Sequence, residues 1–254
     1  MKAFRKQLEF DGKRLFLRNF SFLFFSLLMP VGFYLLFTRI MLVASGSELQ
    51  QFYIQYMVSM ITYSGLISSF FSIATILQHD RDQGLTELLK RTPKGETVYL
   101  ISIGFWGLVM GAAAALVIGI IAVTVNHVGL SFTRWAALIG ASLLGQLPLI
   151  LLGRLASQVK RPETLSLVCN LIVFPMAVAT GLWWPLNMLP VWVQHVGKLL
   201  PTYFTNQLLG KAAFGGKLEL NLITGIGSWF LISLAIIFVK NWIIRKWRKR
   251  VETV

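Results

Sequence analysis

Six long apolar runs, separated by short polar segments, dominate the hydrophobic pattern of the chain. A helix that crosses the roughly 30 Å hydrocarbon core of a membrane needs about 20 mostly apolar residues. The runs that meet this requirement cover residues 20–44, 53–77, 99–125, 135–157, 165–182 and 220–244. The segments between them are too short to hold a soluble domain of ordinary size. The pattern therefore predicts an all-α integral membrane protein with six membrane-spanning helices in one domain, residues 1–254.

The composition supports a membrane protein and excludes an ordinary soluble domain. Hydrophobic residues make up 56% of the chain and charged residues 13%, whereas soluble domains contain about 25% charged residues. The first apolar run is too long for the core of a cleavable signal peptide, so we expect none. Cys169 is the only cysteine, which rules out a disulfide within the chain.

The basic residues are concentrated on one side of the predicted membrane. Of the 24 Lys and Arg residues, 19 lie before the first run, between the second and third runs, near the end of the fourth, or at and after the end of the sixth. The other side holds only Arg39, Arg134, Lys198, Lys211 and Lys217. By the positive-inside rule the richer side is cytoplasmic, and both termini lie there. The net charge of +14 then indicates attraction to anionic membrane lipids rather than to nucleic acid.

Residues 1–19 predict a short amphipathic helix ahead of the first span. Phe4, Leu8 and Leu15 fall near one helical face, and most of the basic residues fall elsewhere. A basic amphipathic helix of this kind lies in the plane of the membrane interface. The alternative is a solvated tail that only sets the orientation of the chain.

The connection between the second and third runs predicts a short cytoplasmic helix. Leu85, Leu88 and Leu89 are spaced i, i+3, i+4 and so share one face, and Pro93 ends the helix. Such a helix either docks its apolar face into the groove of a partner protein or packs on the cytoplasmic end of its own bundle. The periodicity by itself favours neither.

Tryptophans and prolines interrupt the chain after the fifth run. Trp183 and Trp184 follow the run directly, as residues at a membrane–water interface do. Pro185, Pro190 and Pro201 each lack a backbone donor, so the chain must break here. Pro190 is placed to open a short helix. The segment either re-enters the outer face of the membrane or anchors that surface as an amphipathic loop.

Few polar residues lie at membrane depth. Arg154 is the only ionisable residue well inside an apolar run, and it either faces a water-filled path or snorkels to the nearby interface. Asn170 either lines a path or bonds across helices. The three histidines lie in three separate connections, so we expect no metal site. The sequence contains no nucleotide-binding loop and no catalytic constellation, so we expect no cofactor on this chain.

Two segments together resemble the membrane subunits of ABC-2 type exporters, in particular the drug- and antimicrobial-export branch. The cytoplasmic connection resembles the family's coupling helix at Asp80, Arg81, Asp82, Gly84, Glu87, Leu88, Thr92 and Pro93, with Leu85 and Leu89 between them. The segment after the fifth run resembles the family at Gly181, Trp183, Trp184, Pro185, Leu189, Pro190, Pro201 and Tyr203. Many relatives have Thr where this chain has Leu85. The resemblance covers essentially the full length, including Pro30 within the first run.

The resemblance implies a permease of the bacterial cytoplasmic membrane that is not an enzyme by itself. The short cytoplasmic helix would couple to a separate ATPase subunit, which binds ATP and Mg²⁺. Residues 183–209 would form a re-entrant extracellular segment over the exit. A second permease copy, identical or paired, would complete the path along the first, second and fifth spans. Pro30, Asn170 and Arg154 are candidates to line that path.

The scarcity of charge at membrane depth favours an apolar or amphipathic cargo. Drugs, antimicrobial peptides and lipid-like compounds fit, as in multidrug-resistance export. A polysaccharide or teichoic-acid exporter shares the six-span plan and is the alternative within the class, because the first run is rich in Phe. The alternatives outside transport are an intramembrane lipid-modifying enzyme and a membrane sensor.

Overall fold

The computed structural model describes residues 2–18, 20–40, 48–93, 95–217 and 219–251, and every regular element in these ranges is a helix. The helices are α1 (Lys2–Arg18), α2 (Phe20–Leu35), α3 (Leu49–Ile67), α4 (Ala74–Asp82), α5 (Leu85–Lys90), α6 (Gly95–Asn126), α7 (Phe132–Ala156), α8 (Pro162–Ala179), α9 (Val191–Gly197), α10 (Pro201–Phe214) and α11 (Leu220–Val251). A π-helical segment (Leu36–Ile40) extends α2, another (Ser68–Ile73) joins α3 to α4, and a 3₁₀ turn covers Leu186–Met188. The predicted all-α class is confirmed for the described residues.

Five helices in the described ranges are long and apolar enough to cross a membrane. They are the continuous helix Leu49–Asp82, α6, α7, α8 and the part of α11 from Leu220 to Ile243. They contain the predicted second to sixth spans, although α7 and α8 end at Ala156 and Ala179, short of the predicted residues 157 and 182. The predicted first span, 20–44, begins as α2 and its π-helical extension, and residues 41–44 lie outside the described residues.

The continuous helix Leu49–Asp82 forms the centre of the bundle. In its most apolar window 83% of the residues are buried, against 22–39% in the other four spanning helices. Met57, Tyr63 and Leu66 are among its fully buried side chains. The other helices surround it. Their outer faces carry exposed apolar side chains, as expected of helices that face lipid.

Small residues allow the helices to approach closely. A Cβ at Gly153 of α7 would lie 2.0 Å from the carbonyl oxygen of Ser69, and one at Gly111 of α6 would lie 1.9 Å from the amide oxygen of Gln146. The side-chain amide of Gln146 also donates to the carbonyl of Gly107 at 3.1 Å. Lipid is as apolar as the side chains, so close packing and interhelical hydrogen bonds of this kind hold membrane helices together.

Helix α10 lies inside the bundle. Its buried face, which includes Thr205 and Leu209, packs mainly against α7, α3 and α11. Its 14 residues extend over about 21 Å, which is too short to cross the membrane. The sequence placed the end of this segment at residue 209, whereas the helix continues to Phe214. Gly210 lies within α10, since a single glycine is tolerated within a helix.

Gly145→Val is expected to push α10 away from α7 and lower the stability of the bundle. A Cβ at Gly145 would lie 2.2 Å from Cγ2 of Thr205, and overpacking of this kind costs about 1–3 kcal/mol. The measurement is the midpoint of thermal unfolding of the purified protein in detergent. Gly140→Val on the same helix is the matched control, because a Cβ there has no neighbour within 4 Å. Equal midpoints for the two variants would contradict the expectation.

Candidate functional site

The turn between α4 and α5 depends on a glycine. α4 ends at Asp82, and Gly84 has a φ of +77°, a left-handed conformation that is costly for a residue with a Cβ. The amide of Gly84 donates to the carbonyl of Arg81 at 2.9 Å, and the carbonyl of Gly84 accepts from the amide of Leu88 at 3.1 Å. Gly84 thus ends one helix and begins the next, so that α5 is joined directly to the central helix.

Helix α5 divides its three leucines between two environments. Leu85 and Leu89 pack against the apolar cluster at the end of α4 and the start of α6, which attaches α5 to its own bundle. Leu88 is 61% exposed, and the carboxylate of Glu87 is exposed while it pairs with Lys90 at 2.6 Å. Two of the three leucines therefore pack on the bundle, and Leu88 is exposed; docking to a partner stays a prediction.

The segment after α5 is a tight, exposed turn. Thr92 donates its hydroxyl to the carbonyl of Leu89 at 2.8 Å, and Pro93 is exposed just before α6. A Cβ at Gly95 would lie 2.0 Å from the hydroxyl oxygen of Thr92. The end of α5 is therefore held close to the first residue of α6.

Asp80, near the end of α4, is buried and joins two other helices to it. Its side chain is 7% exposed; one carboxylate oxygen accepts from the guanidinium of Arg14 at 2.7 Å, and the other accepts from the hydroxyl of Tyr99. Arg14 belongs to α1 and Tyr99 to α6. Removing one member of a buried charge pair leaves the other unpaired at a cost of several kcal/mol. The ends of α1, α4 and α6 are therefore fixed to one another.

A second carboxylate completes this cluster. Burial lowers the pKa of Arg14, but the hydrogen bond and the charge of Asp80 outweigh burial, so the pKa of Arg14 lies above its ordinary value. Asp11 is fully buried, lies 3.4 Å from Arg14 and accepts a hydrogen bond from Gln7 at 2.8 Å. We name the group of Gln7, Asp11, Arg14, Asp80 and Tyr99 the cytoplasmic ion cluster. Its Arg14 stays charged at any physiological pH.

Helix α1 is a packed helix rather than a solvated tail. The indole N–H of Trp106 on α6 donates to the carbonyl of Leu8 at 3.0 Å. A Cβ at Gly12 would lie 2.3 Å from the Trp106 ring, so only glycine allows α1 to lie this close to α6. Leu15 is buried in the same interface.

Arg81 and Gln78 connect the end of the central helix to the turn after α7. Arg81 donates to the carbonyls of Ser157 at 2.8 Å and Val159 at 2.9 Å, and Gln78 donates to the carbonyl of Val159 at 2.9 Å. Arg81 also lies 3.5 Å from the exposed carboxylate of Asp82. The predicted coupling residues therefore separate into Asp80 and Arg81, which position the helix end, and residues on the surface.

Helix α8 ends in a Schellman motif at Gly181. The amide of Leu182 donates to the carbonyl of Ala177 at 3.0 Å, and the amide of Gly181 donates to the carbonyl of Val178 at 3.1 Å. The φ of Gly181 is +78°, as this motif requires. The chain therefore turns sharply at the position where the sequence predicts a break.

The two tryptophans after this turn lie in different environments. Trp183 packs among aromatic rings, with its ring centroid 5.1 Å from that of Phe33, 5.5 Å from Tyr63 and 5.6 Å from Phe174. Trp184 is 44% exposed. Each aromatic pair contributes about 0.5–1.5 kcal/mol beyond its burial. Trp183 therefore attaches the break to α2, α3 and α8.

The three predicted prolines divide the segment into short helices. Pro185 precedes the 3₁₀ turn, Pro190 directly precedes α9, and Pro201 is the first residue of α10. A proline at these positions removes no intrahelical hydrogen bond. The carbonyl of Leu189 accepts from the side chain of Gln194 at 2.8 Å, which closes the turn before α9.

Close contacts hold α9 and the start of α10 on the bundle. A Cβ at Gly197 would lie 1.8 Å from the carbonyl oxygen of Ala179, so α9 lies directly against the end of α8. The indole N–H of Trp229 on α11 donates to the carbonyl of Leu199 at 2.8 Å. Tyr203 is half-buried on α10. The predicted gate residues thus lie along one segment, residues 181–214, which is attached to the bundle at these contacts, while Trp184, Pro185 and Pro190 are exposed.

A small polar cavity lies beside this segment. Its volume is about 190 Å³, and its lining includes Gln55, Tyr56, Ser59, Thr180, Trp184 and Asn206. The hydroxyl of Ser59 lies 3.5 Å from the side-chain oxygen of Asn206, and Thr202 donates to the hydroxyl of Thr180 at 3.2 Å. Polar groups inside a membrane bundle bond across helices or line a path; here they join α3, α8 and α10 around a cavity.

The three residues predicted to line a path are not brought together. Pro30 is buried within α2, and Asn170 is exposed on α8, where its amide donates to the carbonyl of Ser166 at 2.8 Å. Arg154 is half-buried near the end of α7, beside two larger cavities. Within the described ranges, no group of three His, Cys, Asp or Glu side chains is placed to hold a metal ion.

Sequence reasoning missed the partners of the residues it selected. Arg14 and Tyr99 contact Asp80 across 66 and 19 positions in the chain, and Asn206 meets Ser59 across 147. The only signal was Asp80 itself, because an acidic residue at the end of a spanning helix needs a cation. That signal does not indicate which of many basic residues supplies it.

Comparison with known proteins gives a consistent result. Residues 38–243 match the family described as "ABC-2 family transporter protein". The chain is 28% identical over 203 residues to a protein of Bacillus subtilis (strain 168) described as "Putative transport permease YvfS"; the match covers 80% of this chain and 82% of that protein. No solved structure matches the chain.

Proposed function

The chain belongs to the ABC-2 family of transporter permeases, and on this premise we propose that it exports an apolar or amphipathic cargo with energy from a separate ATPase subunit. Membership in this family favours transport over the intramembrane enzyme and the membrane sensor that the sequence left open. The match includes both the α4–α5 turn and residues 181–214.

The surface of α5 is the observation that best supports an ATPase-driven mechanism. Leu88 and Glu87 are exposed on a helix that Leu85 and Leu89 attach to the bundle. A partner that binds Leu88 and moves α5 would move the central helix through the short turn at Gly84. The cytoplasmic ion cluster would pass the same displacement to α1 and α6. The ATPase subunit would therefore act on the bundle through α5, the turn at Gly84 and the cytoplasmic ion cluster.

The exposed face of α8 supports a second permease copy. The 18 residues of α8 have a mean hydropathy of 1.5, the lowest value among the five spanning helices. Only 22% of these residues are buried, however. By contrast, α6 combines a mean hydropathy of 2.6 with 33% burial, as expected for a helix that faces lipid. Asn170 lies on the exposed side of α8, and polar residues at membrane depth usually face protein or a path. We therefore place the second copy, with the path between the copies, against α8.

Residues 181–214 would form the outer gate of that path. The segment re-enters the bundle as α10, and Trp183 attaches it to α2 and α3. The 190 Å³ cavity that Ser59 and Asn206 help to line would give cargo a space to enter. Trp184, which is partly exposed, would contact apolar cargo as it leaves.

The aromatic and polar lining also supports the polysaccharide alternative. Tyr56, Trp184 and Asn206 around one cavity are residue types that bind sugars. Against this alternative, the ring of Trp183, which also lines the cavity, is partly occupied by packing on Phe33 and Phe174. A deletion strain separates the two: we expect greater sensitivity to amphipathic compounds and an unchanged surface polysaccharide. The reverse pattern would support the alternative.

We propose that the termini and α5 are cytoplasmic, and two cysteine variants test this orientation. Gln83 and Lys217 are exposed at opposite ends of the bundle, and the native Cys169 is buried, so background labelling is low. Lys217→Cys should react with an impermeant maleimide in intact cells, and Gln83→Cys only after permeabilisation. The opposite result would reverse the topology.

Purification of the tagged chain in mild detergent tests the proposed function directly. We expect a soluble subunit with a phosphate-loop ATPase motif to be retained and identified by mass spectrometry. Recovery of the chain alone, under conditions that preserve a known exporter complex, would contradict an ATPase-driven mechanism.

A further inference from the structure

Two adjacent cavities lie at the α5 end of the bundle. One is polar, has a volume of about 540 Å³ and reaches from α5 to the start of α6 and to α11. The other is apolar, has a volume of about 580 Å³ and lies between α6, α7 and α11. Leu77, Leu100 and Arg154 line both. The guanidinium of Arg154 is therefore placed where a polar space meets an apolar one.

The polar cavity has an excess of positive charge. Its charged lining residues are Arg81, Lys90, Glu96, Arg154 and Lys240. Arg81 and Lys90 have carboxylate partners in Asp82 and Glu87. Within the described ranges, the side chains of Arg154 and Lys240 form no hydrogen bond or ion pair, although Glu96 acts on Arg154 through space. An unpaired cation is costly at a membrane bundle, and an anion bound in this cavity would give Arg154 and Lys240 a partner.

The apolar cavity is a cleft that opens on the surface of the bundle. Ile101 and Phe105 are 56% and 45% exposed at its edge, and Leu108, Ile150 and Phe230 form its walls. Among the described residues, Thr97 and Arg154 are the only polar side chains that line it. An acyl chain can enter such a cleft from the surrounding lipid without crossing a polar barrier.

We propose that the two cavities together bind one anionic phospholipid. The phosphate of the headgroup lies between Arg154 and Lys240, and an acyl chain lies in the adjoining cleft. Arg presents a planar set of donors that matches a phosphate, and basic pockets between spanning helices bind anionic headgroups. The apolar cleft that continues from Arg154 selects a phospholipid over a soluble phosphate ester.

The proposed lipid site lies away from α8, against which we place the cargo path, so Arg154 is assigned to the lipid site rather than to the path. The described residues that line the two cavities come from α4 to α7, from the turn after α7, from the π-helical segment before α4 and from α11, and none of them belongs to α2 or α8. The inference therefore depends only on membrane embedding and not on the identity of the cargo or of the ATPase. Thr86 and Lys90 of α5 also line the polar cavity, so a bound headgroup would stabilise the contact between α5 and the bundle.

Lipid retention by the purified full-length chain tests the proposal. The probes are phosphatidylglycerol and phosphatidylcholine with identical acyl chains, quantified on the protein by native mass spectrometry. We expect the chain to retain phosphatidylglycerol preferentially. Because each basic residue near the membrane surface changes binding by about fivefold, Lys240→Gln should lower that preference about fivefold. Arg154→Gln with Lys240→Gln should lower it by more than about tenfold.

The matched control is Arg134→Gln with Lys198→Gln, which removes one Arg and one Lys at the opposite end, where both are exposed. It should leave lipid retention unchanged. Equal retention of the two lipids by the original chain, or undiminished preference in both glutamine variants, would overturn the proposal. Complete competition by glycerol phosphate would assign the site to a soluble phosphate ester instead. If the double variant fails to fold, Lys240→Gln alone decides the outcome.

Discussion

Leu88→Asp is expected to reduce ATPase-driven transport to background while the protein still inserts and folds. Leu88 is 61% exposed, so we expect the change to cost the bundle little stability. Truncating an apolar anchor at the centre of an interface costs 2 kcal/mol or more, and a buried, unpaired carboxylate adds to that cost. The affinity for the ATPase subunit should therefore fall by about 100-fold or more. The measurements are the amount of ATPase retained on the tagged permease and the export of cargo by cells.

Leu199→Asp is the matched control for this prediction. Leu199 is 69% exposed and follows α9 in the proposed outer gate, so the same charge is introduced far from α5. We expect ATPase retention by Leu199→Asp to equal that of the original chain. Normal retention by Leu88→Asp would show that the ATPase binds a different surface.

Asp80→Ala is expected to destabilise the protein by about 3–5 kcal/mol, because it leaves the guanidinium of Arg14 buried without its main partner. Arg14 and Asp80 have side-chain exposures of only 14% and 7%, so water cannot replace the missing carboxylate. The expected result is a lower midpoint of thermal unfolding in detergent. Faster hydrogen exchange in α1 should accompany it, since Asp80 fixes α1 to α4.

Two comparisons separate the ion cluster from a general effect of charge removal. Asp82→Ala, two residues away, removes a carboxylate that is 44% exposed and 3.5 Å from Arg81, and exposed pairs contribute about 0–1 kcal/mol. Arg14→Met combined with Asp11→Asn and Asp80→Leu should recover part of the lost stability, because all three buried charges of the cluster are then removed together. Equal losses for Asp80→Ala and Asp82→Ala would show that the buried pair has no special role.

The helical elements were largely predictable because their determinants are local. Apolar length indicates a membrane-spanning helix whatever surrounds it, and five of the six predicted runs overlap the five spanning helices of the described residues. Gly84 and Gly181 end helices because each takes a φ near +78° that other residues avoid. Pro190 and Pro201 begin helices for an equally local reason. These features need no knowledge of a partner.

The position of each helix in the bundle was not predictable from hydropathy. The central helix Leu49–Asp82 has a mean hydropathy of 1.6, below the 2.6 of α6 and the 2.3 of the spanning part of α11, although it is by far the most buried. Lipid and protein interior are both apolar, so the pattern cannot distinguish them.

The sequence by itself determined the class of the protein, the extents of most helices and the places where the chain turns, since each follows from residues within about one helical turn or one membrane thickness. Only the tertiary structure decided that Asp80 pairs with Arg14, that Leu88 is exposed while Leu85 and Leu89 are packed, and that Arg154 lies between a polar and an apolar cavity. Those outcomes depend on which helices meet. That is a property of packing among segments far apart in the chain, and periodicity along one segment does not contain it.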